Sequence, residues 1–187
     1  PKTKGFVLIS IAIAVLATIA LFYLSHSLEN SKDFRLRRVL VWMNHEKYSD
    51  LGGYQVRQGL YAIGSGGFFG KGLGNSTQKL DTIPEAQNDM IFSIICEELG
   101  LFGAIIVIIL FVYLLYRIMC IAQSAPDLPG TLIATGVFSH IAIQVILNIC
   151  VVLNVIPTTG VTLPFFSYGG SSIIFLLFEI SLVLGIS

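Results

Sequence analysis

Residues 99–116 read LGLFGAIIVIILFVYLLY, a run without a single charge, and it decides the fold class. A spanning helix needs roughly 20 apolar residues to cross the hydrocarbon core of a bilayer. With its more polar start at Met90, the stretch 90–116 supplies them. Three more runs have the same character: 5–24 (GFVLISIAIAVLATIALFYL), 131–153 (TLIATGVFSHIAIQVILNICVVL) and 171–187 (SSIIFLLFEISLVLGIS), the last of them short. Each is expected to be helical, because an isolated strand cannot satisfy its backbone in lipid. The sequence therefore predicts an all-α polytopic membrane protein with four transmembrane helices and a large extracytoplasmic loop.

Composition agrees. The chain has 187 residues, 55% hydrophobic and 12% charged, with mean hydropathy +0.83; soluble domains carry about twice that share of charge. Net charge is zero, so nothing global suggests nucleic acid. Cys96, Cys120 and Cys150 lie in or beside apolar runs, which favours buried thiols over a disulfide framework or a metal site. The whole of 1–187 reads as one membrane domain and as a piece of a longer protein. Its loops are 25–89, 117–130 and 154–170. Lys2, Lys4 and Arg117 share one side, which the positive-inside rule makes cytoplasmic. The long loop holds eight Lys or Arg against seven acids, one charge above neutral, and long loops translocate largely regardless of charge. Both ends are thus expected inside, and 25–89 and 154–170 outside.

Polar residues in the spanning runs are the next clue. His140, Gln144 and Asn148 are spaced i, i+4, i+8, with Gly136 one turn earlier, and so draw one stripe along one helix face. In lipid such a stripe faces protein or water. Interhelical hydrogen bonding is the plainer account, a polar path or substrate groove the sharper one. Glu179, in the last run, would be protonated, paired, or near an edge.

The outer loop opens basic, with Lys32, Arg35, Arg37 and Arg38 beside Val39, Leu40, Val41 and Trp42. This is either a solvated face or a site for a diphosphate or lipid head group. Residues 54–63, YQVRQGLYAI, suit a short helix in the membrane interface. GSGGFFGKGLGNS, 64–76, is not a phosphate loop: Ser65 stands where its first glycine belongs, and Gly72 follows Lys71. A tight, permissive backbone around Phe68 and Phe69 is the better account. In 154–172, Pro157 and Pro164 stiffen the chain, Gly169 and Gly170 let it turn, and Ser171 or Ser172 can cap the last helix. The same turn offers free N–H groups to an anion.

Taken together, IGSGGFFGKGLGNSTQKL, IPEAQNDMIFSIICEELGLFG and QVILNICVVLNVIPTTGVTLPFFSYGGSS resemble the SEDS family, the FtsW, RodA and SpoVE proteins of bacterial cell-wall synthesis. The glycine-rich stretch leans toward the FtsW and SpoVE branch. The resemblance implies the last four helices of a ten-helix bundle in the bacterial cytoplasmic (inner) membrane, with the active site on the extracytoplasmic side. It implies a peptidoglycan glycosyltransferase that polymerises lipid II for division, shape control or sporulation. Its partners would be lipid II, a class B penicillin-binding protein, other divisome or elongasome proteins and membrane lipid, with no nucleic acid. A lipid II flippase and a non-catalytic scaffold for the penicillin-binding protein are the alternatives.

The family's essential acid falls on Asp89, although Gln87, Asn88 and Met90 depart from the usual neighbours. Glu98 matches the Glu-Glu-Leu-Gly segment, Gln144 and Asn148 a further motif, and 164–172 the Pro-Phe-x-Ser-Tyr-Gly-Gly-Ser-Ser segment. By this resemblance Asp89 is the general base for a sugar hydroxyl. Arg35 and Arg38 are candidates for the diphosphate. Lys71, Ser167, Gly169, Gly170 and Ser171 are weaker substrate contacts. Glu85, four residues before Asp89, could tune the base or help hold a divalent cation; no other cofactor and no metal cluster is implied. Glu98, His140, Gln144 and Asn148 are expected to serve the bundle.

Overall fold

The computed structural model describes residues 34–44, 47–48, 53–76 and 88–186, with the side chains of 34–36 left out. The expected helix 5–24, Glu85 and the side chain of Arg35 lie outside the described residues. The described residues form helices joined by turns and irregular segments, with no strand among them. In order they form α1 (Phe34–Met43), α2 (Gly53–Gly66), α3 (Ile91–Ser124), α4 (Leu128–Val152) and α5 (Gly170–Ile186). Helix α3 packs on α2 and α4, and α4 on α5.

The helix ends follow local chemistry. The sequence led us to end α3 at 116, yet it runs on through RIMCIAQS to Ser124, because no breaker intervenes before Ala125 and Pro126. That shortens the expected connection 117–130 to three residues. Asp127 then caps α4, its side chain accepting the Gly130 N–H at 3.2 Å, with Pro129 in the first turn where a missing N–H costs nothing. α4 consequently starts three residues before the expected 131.

Helices α3 and α4 are both long and apolar enough to cross a membrane, with mean hydropathies of 2.7 and 1.9 over the tested windows. Their outward side chains are as apolar as the core: Ile105, Ile109, Leu110 and Val112 on α3, Leu132 and Ile146 on α4, and Phe175 and Phe178 on α5 are all exposed. Apolar surface on every side belongs in lipid rather than water. Inside, Ala104, Val107, Phe111, Ala134, Ile141, Val145 and Leu176 form the core.

Helix α3 is not continuous. At Gly100 the backbone leaves helical geometry, with φ 69° and ψ −168°. Regular helical bonding across the break would pair N–H 101 with C=O 97 and N–H 102 with C=O 98. The glycine-rich loop after α2 takes up all four groups. Lys71 and Gly72 donate to the Glu97 and Glu98 carbonyls at 2.9 and 3.0 Å. Leu101 and Phe102 donate to the carbonyls of Gly67 and Phe68 at 3.0 and 3.2 Å. A loop spliced into a helix must come very close: a Cβ on Gly70 would collide with the Glu98 carbonyl, and one on Gly100 with the Gly70 nitrogen. Both glycines also have positive φ, 77° and 69°. Residues 101–124 then form the spanning piece, about 36 Å long at 1.5 Å per residue, and 91–99 a separate short piece packed on α2.

Gly100→Ala should therefore cost more than about 2 kcal/mol, since it meets both a backbone collision and a disfavoured conformation. Gly67→Ala has a positive φ but open space around it, and should cost about 1 kcal/mol. Denaturation midpoints of the two variants in the same detergent check the order.

Candidate functional site

The site grows from α4. Asn148 is fully buried, and its Nδ2 donates to two carbonyls, that of Asp89 at 3.0 Å and that of Val161 at 2.7 Å. One turn away, Gln144 Nε2 donates to the Thr162 carbonyl at 3.1 Å. Two members of the polar stripe thus pin the start of α3 and the 154–169 connection to the same helix face. The third, His140, meets the carboxylate of Glu179 on α5, Nδ1 to Oε2 2.9 Å, so the partner of Glu179 lies on the neighbouring helix.

Helix α1 closes the other side. Trp42 Nε1 donates to the Asn154 carbonyl at 3.0 Å, and Arg38 to that of Thr158 at 3.2 Å. From α2, Gln55 Nε2 donates to Asp89 Oδ1 at 3.2 Å. Between these supports lies a cavity of about 500 Å³, lined by Arg38, Gln55, Asn88, Asp89, Gly160, Thr162 and Tyr168. It brings a half-buried carboxylate and a guanidinium to one polar chamber beside the exposed ring of Tyr168. A volume of that size holds a sugar unit, and the two charged groups suit a reaction that takes up a proton at one point and gathers negative charge at another.

The other expected site residues stand elsewhere. Lys71 forms an ion pair with Glu97, Nζ to Oε1 2.6 Å, and is not among the cavity-lining residues. Ser167 is buried and turned inward: its hydroxyl accepts the Leu163 N–H at 2.7 Å, and its own N–H donates to the Leu163 carbonyl at 3.1 Å. Gly169, Gly170 and Ser171 begin α5, with the Gly169 carbonyl accepting the Ile173 N–H; it is the preceding Tyr168 that reaches the chamber. Glu98 is buried, and its carbonyl accepts the Gly72 N–H at 3.0 Å. Sequence reasoning missed Gln55, Asn88, Gly160, Thr162 and Tyr168. Tyr168 lies inside a quoted motif, and Gln55 inside the short helix, but nothing in their spacing points at Asp89. Among the described residues no group of three His, Cys, Asp or Glu could hold a metal.

Residues 2–187 match the FtsW, RodA and SpoVE family of cell cycle proteins, and the chain belongs to that family. It is 47% identical over 157 residues to the stage V sporulation protein E of Bacillus subtilis, covering 84% of this chain and 43% of that protein. It is 40% identical to the probable peptidoglycan glycosyltransferase FtsW of Enterococcus hirae, covering 100% of this chain and 48% of the relative. The chain thus spans about half the length of the curated relatives it matches or less. Among solved structures, a chain of a peptidoglycan synthase complex, studied for how it coordinates polymerization and crosslinking, superposes with a TM-score of 0.64 at 31% identity. The match covers 92% of this chain and 47% of that one. A mutant of the rod-shape-determining protein RodA of Thermus thermophilus gives 0.51 at 29% identity, covering 86% and 60%. Family membership and the two long apolar helices together make this a membrane protein.

Asn148→Ala strips the shared donor from two part-buried carbonyls and should lower stability by about 2 kcal/mol. Ile143→Ala, on the outward face of α4, should stay within about 0.5 kcal/mol. Unfolding of both in one detergent measures the difference.

Proposed function

We propose that the protein of which this chain is part is a peptidoglycan glycosyltransferase that polymerises lipid II, with Asp89 as the base. What carries this reading is the meeting of Asp89 and Arg38 in one chamber at the end of α3. The relatives named peptidoglycan glycosyltransferase support it. In this reading 5–24 is a further spanning helix, and the chain is the last four of a ten-helix bundle. Residues 25–89 are then a large extracytoplasmic loop, so the chamber opens on the outer face of the bacterial cytoplasmic membrane. The positive-inside argument above supports that side.

The chemistry follows from the leaving group. A sugar hydroxyl on one lipid-anchored glycan attacks the anomeric carbon of another. The carboxylate of Asp89 takes the hydroxyl proton as the new glycosidic C–O bond forms. The bond from the anomeric carbon to the diphosphate breaks, and its electrons stay on the lipid diphosphate. That leaving group is already anionic and needs a cation rather than an acid, which is the role of Arg38. One carboxylate therefore suffices, where a hydrolase acting on a neutral leaving group uses a pair. Gln55 holds the Asp89 side chain from Oδ1, and Asn148 holds its backbone. A class B penicillin-binding protein would cross-link the strands as they emerge, in line with the synthase complex that this chain resembles.

In the full-length protein, Asp89→Ala should lower the rate of lipid II polymerisation by about 10²–10⁴-fold while insertion into the membrane persists. Arg38→Ala should weaken substrate use, an effect most visible at low salt. Both are read by gel analysis of the glycan chains formed from purified lipid II. Polymerisation at the parent rate in Asp89→Ala would remove the base from this role.

A further inference from the structure

A second carboxylate, outside the Asp89 chamber, has a better-built surrounding than the first. Glu97 is 0% exposed. Its side chain accepts from Lys71 Nζ at 2.6 Å, from the Ser76 hydroxyl, and more loosely from Ser65 Oγ at 3.4 Å. All three donors belong to the end of α2 and the glycine-rich loop, whereas the acceptor sits on the 91–99 piece of α3. Burying a carboxylate is costly unless partners meet both of its oxygens, and here they do. Glu97 lies eight residues along the chain from Asp89, about 12 Å at helical rise, too far to take part in its chemistry.

We infer that Glu97 is a positioning residue, whose ion pair with Lys71 clamps the glycine-rich loop and α2 onto the short helical piece that directly follows Asp89 and Met90. This rests on the reading of Asp89 as the base. The break at Gly100 is why the clamp matters. A continuous α3 would transmit the orientation of its spanning part to residues 91–99; a broken one does not. The angle of the short piece is then set by what is fastened to it. Gln55, which donates to Asp89, stands on α2, and the far end of α2 runs directly into the clamped loop. The clamp thus fixes donor and acceptor relative to each other. Ser76 and Asn88 flank the segment 77–87, so Glu97 anchors one border of that segment while Asn148 and Gln55 anchor the other through Asp89. Removing the charge at Glu97 or Lys71 frees α2 and the short helix to shift, and a displacement of about 1 Å at the reacting group is enough to cost roughly 100-fold in rate.

The test uses the full-length protein in liposomes with lipid II and two readouts. Glu97→Gln keeps the shape of the buried side chain and leaves Lys71, 32% exposed, able to turn to water, so this variant folds even where Lys71→Gln, which leaves a buried carboxylate without its cation, does not. In Lys71→Gln and Glu97→Gln, amide hydrogen exchange at Lys71, Gly72, Leu101 and Phe102 should quicken by about tenfold or more. In the same variants kcat should fall at least about tenfold with KM within about twofold. Lys71→Arg, which keeps the charge, should recover most of the loss. Unchanged exchange overturns the clamp; quickened exchange with kcat intact overturns the positioning role. Loss of the Asp89 reading shows separately, as turnover retained in Asp89→Ala, and leaves the exchange arm able to judge the clamp.

Discussion

The structure depends on a helix that is cut and then repaired by another part of the chain. Breaking α3 at Gly100 opens four backbone groups, two carbonyls and two amides, and buried backbone groups of this kind are hardly ever left without a partner. The loop of residues 67–72 supplies a mate for each one. The spliced backbone requires glycine where the two segments touch, at Gly66, Gly70 and Gly100, whereas Gly67, Gly72 and Gly74 serve the turns of the loop through their positive φ. Without the splice the break would be untenable, and without the break the start of α3 would simply continue the direction of the spanning helix.

Two elements then bring the chamber together from opposite sides. Asn148 ties the carbonyl of Asp89 to that of Val161, so the start of α3 and the α4–α5 connection share one support. Arg38 and Trp42 attach α1 to the same connection through Thr158 and Asn154. Residues 154–169, which have no regular structure of their own over most of their length, are therefore held at Asn154, Thr158, Val161 and Thr162 by side chains from two helices. Ser167 closes the far end by bonding Leu163 twice. An irregular segment with this many fixed points holds Gly160, Thr162 and Tyr168 in set places along the cavity wall.

Much of this was legible in the sequence and some was not, for separate physical reasons. Apolar runs announce apolar helices, and α3 to α5 lie where those runs lie; their ends moved by up to eight residues because Ala125-Pro126 stops a helix and a change in hydropathy does not. The break at Gly100 gave no signal. Leu99, Gly100 and Leu101 sit in an unbroken apolar run, where an isolated glycine reads as tolerated, and the loop that repairs it lies some 30 residues upstream. The stripe of His140, Gln144 and Asn148 is visible in its spacing. Its partners are not, because two of the three stripe residues bond backbone carbonyls, which carry no residue signature. Lys71 was drawn toward the substrate by its place in a matching motif. Its actual partner, Glu97, is 26 positions away, and no periodicity connects a loop lysine to a buried helix acid.

Two contacts among the described residues, each between an acid and a basic side chain, show how acids are accommodated along the chain. Glu179 lies within an apolar helix, where an unpaired acid would cost about 2.5–3.5 kcal/mol, and it is met by His140 from the next helix at 2.9 Å. That contact fastens α4 to α5 below the chamber. Glu97 lies beyond the break, on the piece outside the spanning part of α3, and is met by a full cation and hydroxyl donors. That contact fastens α2 and its loop beside the chamber. Asp89 stands in a different kind of place: it borders the open cavity, and Gln55 donates to its Oδ1. Of these three acids, Glu97 and Glu179 fasten elements to one another away from the cavity, and Asp89 stands at its rim, where Gln55 of α2 and Asn148 of α4 both bond to it.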